Sequence, residues 1–169
     1  MRFSLDEIKD WKDFEKLIED YFRIIVNAQE NNLTEVKVEP SGEGSDGGRD
    51  IFLTFRVNDS VVTYERKWVV QCKFYSKNLS LKNLATVNIP SLIHMYNADG
   101  YLLVCKPGVT AKVTEMFEQL RRKCSFKYDY EIWDENTLIS KLMVQPDLIR
   151  KFFPDYQDYL RKKNVDIDI

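Results

Sequence analysis

Four polar side chains have the types and spacing that metal-assisted hydrolysis of a phosphodiester requires. Gln71 and Lys73 are two positions apart, and Asp50 follows a segment with four glycines in nine positions. A carboxylate and an amide oxygen can bind a divalent cation, while a lysine ammonium can position the attacking water and offset charge on the phosphate. Glu15, in an amino-terminal segment of helical periodicity, is a candidate further carboxylate.

Alternating strands would bring these groups together. Residues 50–57 and 67–75 alternate between two faces. The polar turn at 58–60 leads back through residues 61–64, which predicts a hairpin after the first of these strands. Gln71 and Lys73 share one face of the second strand. Because cross-strand neighbours on one face lie within roughly 5 Å, Asp50 could meet this pair if the register allows it. Residues 34–39 predict a further short strand, and residues 41–49 a glycine-rich loop.

The segment that carries Glu15 is predicted to be helical over residues 4–30. Ser4 and Glu7 have the spacing of a capping box, and apolar residues recur with a helical period from Trp11 onwards. Glu15 borders the predicted apolar stripe, which suits an inward-leaning carboxylate. It could equally belong to a surface charge network with Glu19.

The remaining pattern is that of an α/β protein. Residues 81–96 read as helical with a break near Pro90, and residues 101–105 form a fully apolar strand of the buried, parallel type. A helix at 110–123, a strand at 128–133 and a helix at 135–143 complete crossover connections. We therefore predict a central mixed β-sheet flanked by helices in a domain of residues 1–145. Residues 146–169 are predicted to be a packed helical extension or a linker to another domain.

Composition excludes several classes of site. The one histidine, His94, is too few for histidine-based zinc or facial-triad sites, and the three cysteines contain no CxxC pair. An odd cysteine count favours a reducing compartment. No segment approaches the roughly 18 apolar residues of a transmembrane helix. These features predict a cytoplasmic protein without a membrane partner, in which any metal is held by oxygen ligands.

The net charge of −2 conceals a basic middle segment. Residues 66–114 contain seven cations and one acid, a charge of +6 that leaves −8 on the rest of the chain. Tyr75, Ser76, Lys77 and Lys82 extend this segment beyond Lys73 and are candidate nucleic-acid contacts. A run of solvated lysines would give the same pattern.

These residues resemble the Mrr-type restriction endonucleases, a branch of the PD-(D/E)xK nuclease superfamily. The resemblance rests on residues 44–51 (Gly-Ser-Asp-Gly-Gly-Arg-Asp-Ile), on residues 70–73 (Val-Gln-Cys-Lys) and on residues 13–15 (Asp-Phe-Glu). It implies a restriction-endonuclease-like core that hydrolyses double-stranded DNA with Mg²⁺ or Mn²⁺ in defence against foreign DNA.

The resemblance also implies a role for each site residue. Asp50 would bind the metal, Lys73 would be the catalytic lysine, and Glu15 would supply a further carboxylate. The backbone carbonyl of Cys72 would be another metal ligand. Gln71 would occupy a position that holds Asp or Glu in most of the superfamily and glutamine in the Mrr branch, so the site has one negative charge fewer and Glu15 matters more.

Partners and alternatives follow from this interpretation. Cleavage of both strands predicts a homodimer or higher oligomer. Because the negative overall charge gives little affinity for DNA, a fused sensor or ATPase domain is a further possible partner. The same core also serves structure-specific and RNA-directed nucleases, so RNA is a possible substrate. A catalytically silent nucleic-acid-binding module is a further alternative, with Lys73 a solvated strand lysine and Asp50 a turn residue.

Overall fold

A five-stranded mixed sheet organises the part of the chain that the structure describes. The structure is a computed structural model and describes residues 1–27, 32–41, 50–124 and 127–165. The strands lie side by side in chain order. They are β1 (Leu33–Pro40), β2 (Ile51–Asn58), β3 (Thr63–Phe74), β4 (Gly100–Lys106) and β5 (Asp129–Trp133). Strands β1 to β3 are antiparallel, whereas β4 pairs in parallel with both β3 and β5. The predicted central mixed sheet is confirmed.

Helices cover both faces of the sheet. They are α1 (Trp11–Ile24), α2 (Ile89–Met95), α3 (Ala111–Lys123), α4 (Glu135–Leu142), α5 (Pro146–Phe152) and α6 (Pro154–Val165), with 3₁₀ turns at Ile25–Asn27 and Leu81–Leu84. Helices α1, α4 and α5 contribute to a first core, which includes Val70 and Cys72 of β3. Helices α2 and α3 contribute to a second core on the other face, which includes Val69 of β3. Strand β4 is buried up to Cys105, as expected for a parallel strand covered on both faces.

The predicted start of the first helix was wrong. Helix α1 begins at Trp11 and is capped by Asp10, whose side chain accepts a hydrogen bond of 2.9 Å from the amide of Asp13. The Ser4 hydroxyl instead donates to Asp6, and the Glu7 carboxylate accepts from amides at the start of α6. Asp10 is the effective cap because it directly precedes the apolar period, which the Ser4 pattern does not.

One further element boundary differs from the prediction, and one is confirmed. Strand β3 runs without interruption from Thr63 to Phe74, whereas the predicted strand begins only at residue 67. The turn before it is closed by the Asp59 carboxylate, which accepts hydrogen bonds from the amides of Val61 and Val62. The predicted break near Pro90 is confirmed: a 3₁₀ turn precedes α2, and Pro90 lies in the first turn of that helix, where a missing amide hydrogen costs nothing.

The segment after residue 145 packs into the first core at its beginning, beside α1 and α4. Leu148, Ile149 and Phe153 are buried in the first core. The division into a domain of 1–145 and an extension of 146–169 stays a prediction. Residues 42–49, which hold the predicted glycine loop, lie outside the described residues. None of the described helices has the length and apolarity to cross a membrane.

Candidate active site

The predicted site residues of the sheet meet where β2 begins and β3 approaches its end. Ile51 pairs with Val70 in the antiparallel ladder, so Asp50 lies beside the position of Gln71. The Asp50 amide donates to the carbonyl of Val70 over 2.9 Å, and its carboxylate accepts from the amide of Cys72 over 2.6 Å. The Asp50 carbonyl accepts from the amide and hydroxyl of Ser41. Backbone contacts on both sides therefore hold Asp50 in place.

Helix α1 adds Glu15 to the same region. Phe14, Leu17 and Ile18 are buried in the first core, and this leaves Glu15 half-buried. Burial, together with the negative charges of Asp50 and Glu19, raises the pKa of Glu15 to about 7, while Lys73 opposes this shift.

The charge network on α1 does not include Glu15. Glu19 forms ion pairs with Lys16 and Arg23. In the described ranges Glu15 forms no hydrogen bond or ion pair. Its electrostatic partners are therefore those of the candidate site, with Glu19 as an additional like charge.

Asp50 and Lys73 form the charged centre of the site. Both side chains are half-buried. Burial raises the pKa of Asp50, whereas the Cys72 amide and the Lys73 ammonium lower it. Lys73 acts on Glu15 in the same way and has no ion pair within the described ranges. One lysine thus offsets two carboxylates that belong to different elements.

Gln71 lies on the face of β3 that points toward the second core, opposite to the face of Val70 and Cys72. Gln71 is 2% exposed. Among the described residues, it is the one buried residue with a polar or charged side chain in a core that is otherwise hydrophobic. Its Oε1 accepts a hydrogen bond of 2.6 Å from the hydroxyl of Tyr101. An amide oxygen has two lone pairs, so one remains for another partner.

The sequence interpretation missed Tyr101. A tyrosine in a fully buried apolar strand needs a partner for its hydroxyl, and that was the available signal.

Cys72 contributes its backbone to the site. Its thiol is buried, and burial with the negative charges of Asp50 and Glu15 raises its pKa well above the ordinary value. The thiol therefore stays protonated and is a poor metal ligand. The assignment of its carbonyl as a metal ligand stays a prediction.

The donor set fits a divalent cation held by oxygen. Asp50 and Glu15 crowd negative charge into a partly buried place, and the raised pKa of each carboxyl would be relieved by a bound cation. Among the described residues, no group of three or more His, Cys, Asp or Glu side chains could hold a metal ion. A cation would therefore rely on two carboxylates and on neutral oxygens, which the amide of Gln71, a backbone carbonyl and a phosphate can supply.

The candidate nucleic-acid contacts leave the sheet at the same edge. Tyr75, Ser76, Lys77 and Lys82 are all exposed and follow the end of β3. The Tyr75 amide donates to the carbonyl of Lys106, which keeps this segment beside the end of β4.

The basic middle segment contains two kinds of cation. Arg66, Lys67 and Lys106 are paired with acids. The remaining four have no ion pair in the described part of the chain. They are Lys73, Lys77, Lys82 and Lys112. Lys73 lies at the carboxyl end of β3, Lys77 and Lys82 follow this strand along the chain, and Lys112 follows β4. His94 is exposed on α2, against the ring of Tyr128, and lies outside the candidate site.

Comparison with known proteins agrees with this geometry. A sequence model of the restriction endonuclease family, its Mrr catalytic domain, matches residues 5–142. The fold resembles that of the MspJI restriction endonuclease in complex with a 27-mer oligonucleotide, with a TM-score of 0.56 and 16% identity over 79% of this chain. A second similar structure is the DNA modification-dependent restriction endonuclease AspBHI, with a TM-score of 0.49 and 12% identity over 96% of this chain.

This chain spans 28% of the first of these proteins and 43% of the second. No curated protein matches the sequence. The family match covers Glu15, Asp50, Gln71 and Lys73. The chain therefore belongs to the restriction endonuclease family, with the catalytic domain of the Mrr type.

Proposed function

We propose that this chain is a metal-dependent endonuclease domain that hydrolyses phosphodiester bonds of double-stranded DNA as the effector of a restriction or defence system. One observation carries the proposal: two half-buried carboxylates from different elements, Asp50 and Glu15, share the single ammonium of Lys73 at an edge of the sheet. The family to which the chain belongs supports nuclease chemistry at this place.

Each residue has a defined part in this proposal. Asp50 and Glu15 would hold Mg²⁺ or Mn²⁺, with Gln71 and the carbonyl of Cys72 as neutral donors. When bound, the cation would polarise the scissile phosphate and lower the pKa of the attacking water. Lys73 orients that water and offsets the charge that develops on the phosphate. The Cys72 amide keeps the Asp50 carboxylate in place throughout.

DNA is the substrate that best fits the surroundings of the site. The exposed lysines Lys77 and Lys82 can neutralise phosphates beside Lys73, with Tyr75 and Ser76 as further contacts. The structure of the similar MspJI restriction endonuclease in complex with an oligonucleotide supports this choice.

Assembly and location complete the proposal. Cleavage of both strands needs two such sites, so a homodimer or higher oligomer is proposed. A fused sensor or ATPase domain would add affinity that a chain of net charge −2 lacks. The three free cysteines of the described residues suit a reducing, cytoplasmic setting.

A cleavage assay with matched variants tests the function. Supercoiled plasmid, linear duplex DNA and single-stranded RNA would be incubated with the protein and Mg²⁺ or Mn²⁺, with EDTA as the metal control. Asp50→Asn and Lys73→Met should each reduce plasmid cleavage by at least ~100-fold. The exposed α3 residues provide matched controls, Glu118→Gln and Lys123→Met, which should cleave as the wild type does.

Three outcomes would contradict this proposal. Cleavage that persists in both site variants would remove the assignment of the site. Cleavage of RNA alone would make the domain an RNA-directed nuclease. Binding of DNA without cleavage under any metal would make it a silent nucleic-acid-binding module.

A further inference from the structure

Tyr101 links the second core to the candidate metal site. Its side chain is fully buried on β4, and its hydroxyl donates to Oε1 of Gln71 over 2.6 Å. Gln71 itself is 2% exposed, so water does not compete strongly for the amide oxygen. This contact joins a residue outside all the sequence motifs to the one neutral side chain of the site.

The hydrogen bond determines which end of the amide faces which partner. A glutamine side chain has an oxygen that attracts cations and an amino group that repels them, and rotation by 180° exchanges the two. In this structure the Tyr101 hydroxyl donates to the oxygen, so the oxygen is the end of the amide that faces the phenol.

The position of the Tyr101 hydroxyl is itself fixed by the sheet. Tyr101 pairs with Val69 of β3 and with Tyr130 of β5, so both neighbouring strands restrain its backbone. Its ring lies 6.1 Å from that of Phe117 on α3, measured between centroids. The donor therefore has little freedom to follow a rotation of Gln71.

A neutral but oriented oxygen solves an electrostatic problem of this site. A third carboxylate at position 71 would be almost fully buried beside Asp50 and Glu15, with Lys73 as the shared counter-charge, and burying such a charge is costly. An amide avoids that cost, but without a charge it has no strong preference for turning its oxygen, and not its amino group, toward a cation. A fixed hydrogen-bond donor restores the preference.

We propose that Tyr101 is a positioning residue: its hydroxyl holds Oε1 of Gln71 in the orientation in which the amide serves as a neutral donor to a divalent cation bound by Asp50. This inference rests on the proposed function for the presence of a metal. It goes beyond it in assigning a role to a residue of the second core.

Mn²⁺ affinity of the full chain, measured by titration calorimetry and by the signal of free Mn²⁺ in electron paramagnetic resonance, tests the inference without requiring cleavage. Tyr101→Phe should weaken Mn²⁺ binding by about 10-fold, the typical effect of losing a partner of a metal ligand. Tyr130→Phe is the matched control, because Tyr130 is equally buried in the second core and its hydroxyl interacts with Cys124. It should leave the affinity unchanged.

A double-variant cycle separates positioning from general damage to the fold. In a Gln71→Ala background, Tyr101→Phe should cause no further loss of Mn²⁺ affinity, because the amide on which it acts is gone. Thermal melting of every variant would show whether the proteins are folded. Equal affinities of Tyr101→Phe and Tyr130→Phe, or a loss that persists without Gln71, would overturn the inference.

Asp50→Asn distinguishes failure of this inference from failure of the proposed function. If Asp50→Asn weakens Mn²⁺ binding and Tyr101→Phe does not, the metal site stands and the role of Tyr101 falls. If the wild type binds no Mn²⁺, or Asp50→Asn has no effect, both the metal site and the role of Tyr101 are wrong.

Discussion

Glu15 and Asp50 are chemically similar carboxylates that the fold treats differently. Burial raises the pKa of both groups, but Asp50 receives a hydrogen bond from the Cys72 amide that favours its charged form. Glu15 has no such donor in the described chain, and its pKa reaches about 7. Near neutral pH, Glu15 is therefore a carboxyl group whose protonation changes.

Metal affinity should depend on pH through Glu15. Below pH ~7 the metal-free protein holds a proton on this carboxyl, and a cation must displace it, so affinity should fall by up to ~10-fold for each pH unit. Calorimetric titration with Mn²⁺ between about pH 5.5 and 8 would measure this dependence. In Glu15→Gln the affinity should be lower and the slope near pH 7 should disappear. An unchanged slope in that variant would show that another group is responsible.

The same carboxyl should destabilise the metal-free fold at alkaline pH. Its pKa is about 7 in the folded chain against an ordinary 4.5, so the folded state binds the proton more tightly than the unfolded state does. The resulting stability is present below pH ~4.5 and is lost as the pH rises towards 7. Glu15→Gln should therefore raise the Tm in EDTA at pH 8, by ~2 °C, and change it little at pH 5.

The exposed carboxyl of Glu118 gives the control for this prediction. Glu118→Gln should not alter the Tm at either pH. A Glu15→Gln variant that melts lower than the wild type at pH 8 would contradict the prediction, because it would mean that the charged carboxylate stabilises the metal-free chain.

At the scale of elements, alternation and periodicity were sufficient wherever a segment has one buried face. The apolar positions of β2 and the apolar run of β4 predicted those strands, since each reflects burial against a core. The start of α1 was mispredicted because both Ser4 and Asp10 are suitable helix caps. The structure shows that Glu7, the partner of Ser4 in the predicted capping box, instead binds amides at the start of α6. That contact joins residues about 150 positions apart, which a local pattern cannot show.

The proximity of the candidate site residues was predictable to the same extent. Asp50, Gln71 and Lys73 lie on two strands joined by a hairpin, so their proximity followed from pairing alone. Tyr101 reaches Gln71 through the parallel pairing of β3 and β4, whose register depends on a crossover connection and has no local signature.

Gly100 at the start of β4 has a steric role that a substitution can measure. The ring of Trp68 lies against it, and a Cβ at position 100 would come within 2.7 Å of that ring. Gly100→Ala should therefore destabilise the fold by about 1–3 kcal/mol through overpacking, as measured by urea denaturation.

Gly108 is the matched position for this change. A Cβ there would come within 3.3 Å of the Asn78 side chain, which can move, so Gly108→Ala should cost much less. If Gly108→Ala were the more destabilising of the two, the close approach of Trp68 would not be the limiting contact.

At the scale of the molecule, charge is separated between the edge of the site and the rest of the surface. Residues 66–114 carry +6 against −8 elsewhere, and the cations of this segment that lack an ion pair in the described chain lie at the carboxyl end of β3 or follow β3 and β4 along the chain. Many of the remaining lysines are occupied, such as Lys151 with Asp20 and Lys141 over the ring of Trp133. A polyanion is therefore attracted to one edge of a protein that is acidic overall.

Removal of two of these cations should weaken DNA binding in a salt-dependent way. The double variant Lys77→Ala/Lys82→Ala should reduce the slope of log affinity against log salt concentration by about 2, because each phosphate contact contributes about 1. Fluorescence anisotropy with a labelled duplex in Ca²⁺ or EDTA would measure this slope. Lys123→Ala/Lys163→Ala, which makes the same change in net charge on exposed helical positions, should leave it unchanged. An equal loss in both variants would indicate a response to net charge alone.

Strand β3 pairs antiparallel with β2 and in parallel with β4, and this difference affects the order in which the chain folds. The β2–β3 hairpin closes through a short turn and already brings Asp50 to Cys72, 22 positions away, whereas β4 must return across a crossover before Tyr101 can reach Gln71. Contacts that close short loops form sooner than those that need long ones. We therefore expect destabilising changes in the hairpin, such as Phe55→Ala, to slow folding, and Leu103→Ala in β4 mainly to speed unfolding. The contact between Asp50 and Cys72 would then form during folding before the contact between Tyr101 and Gln71.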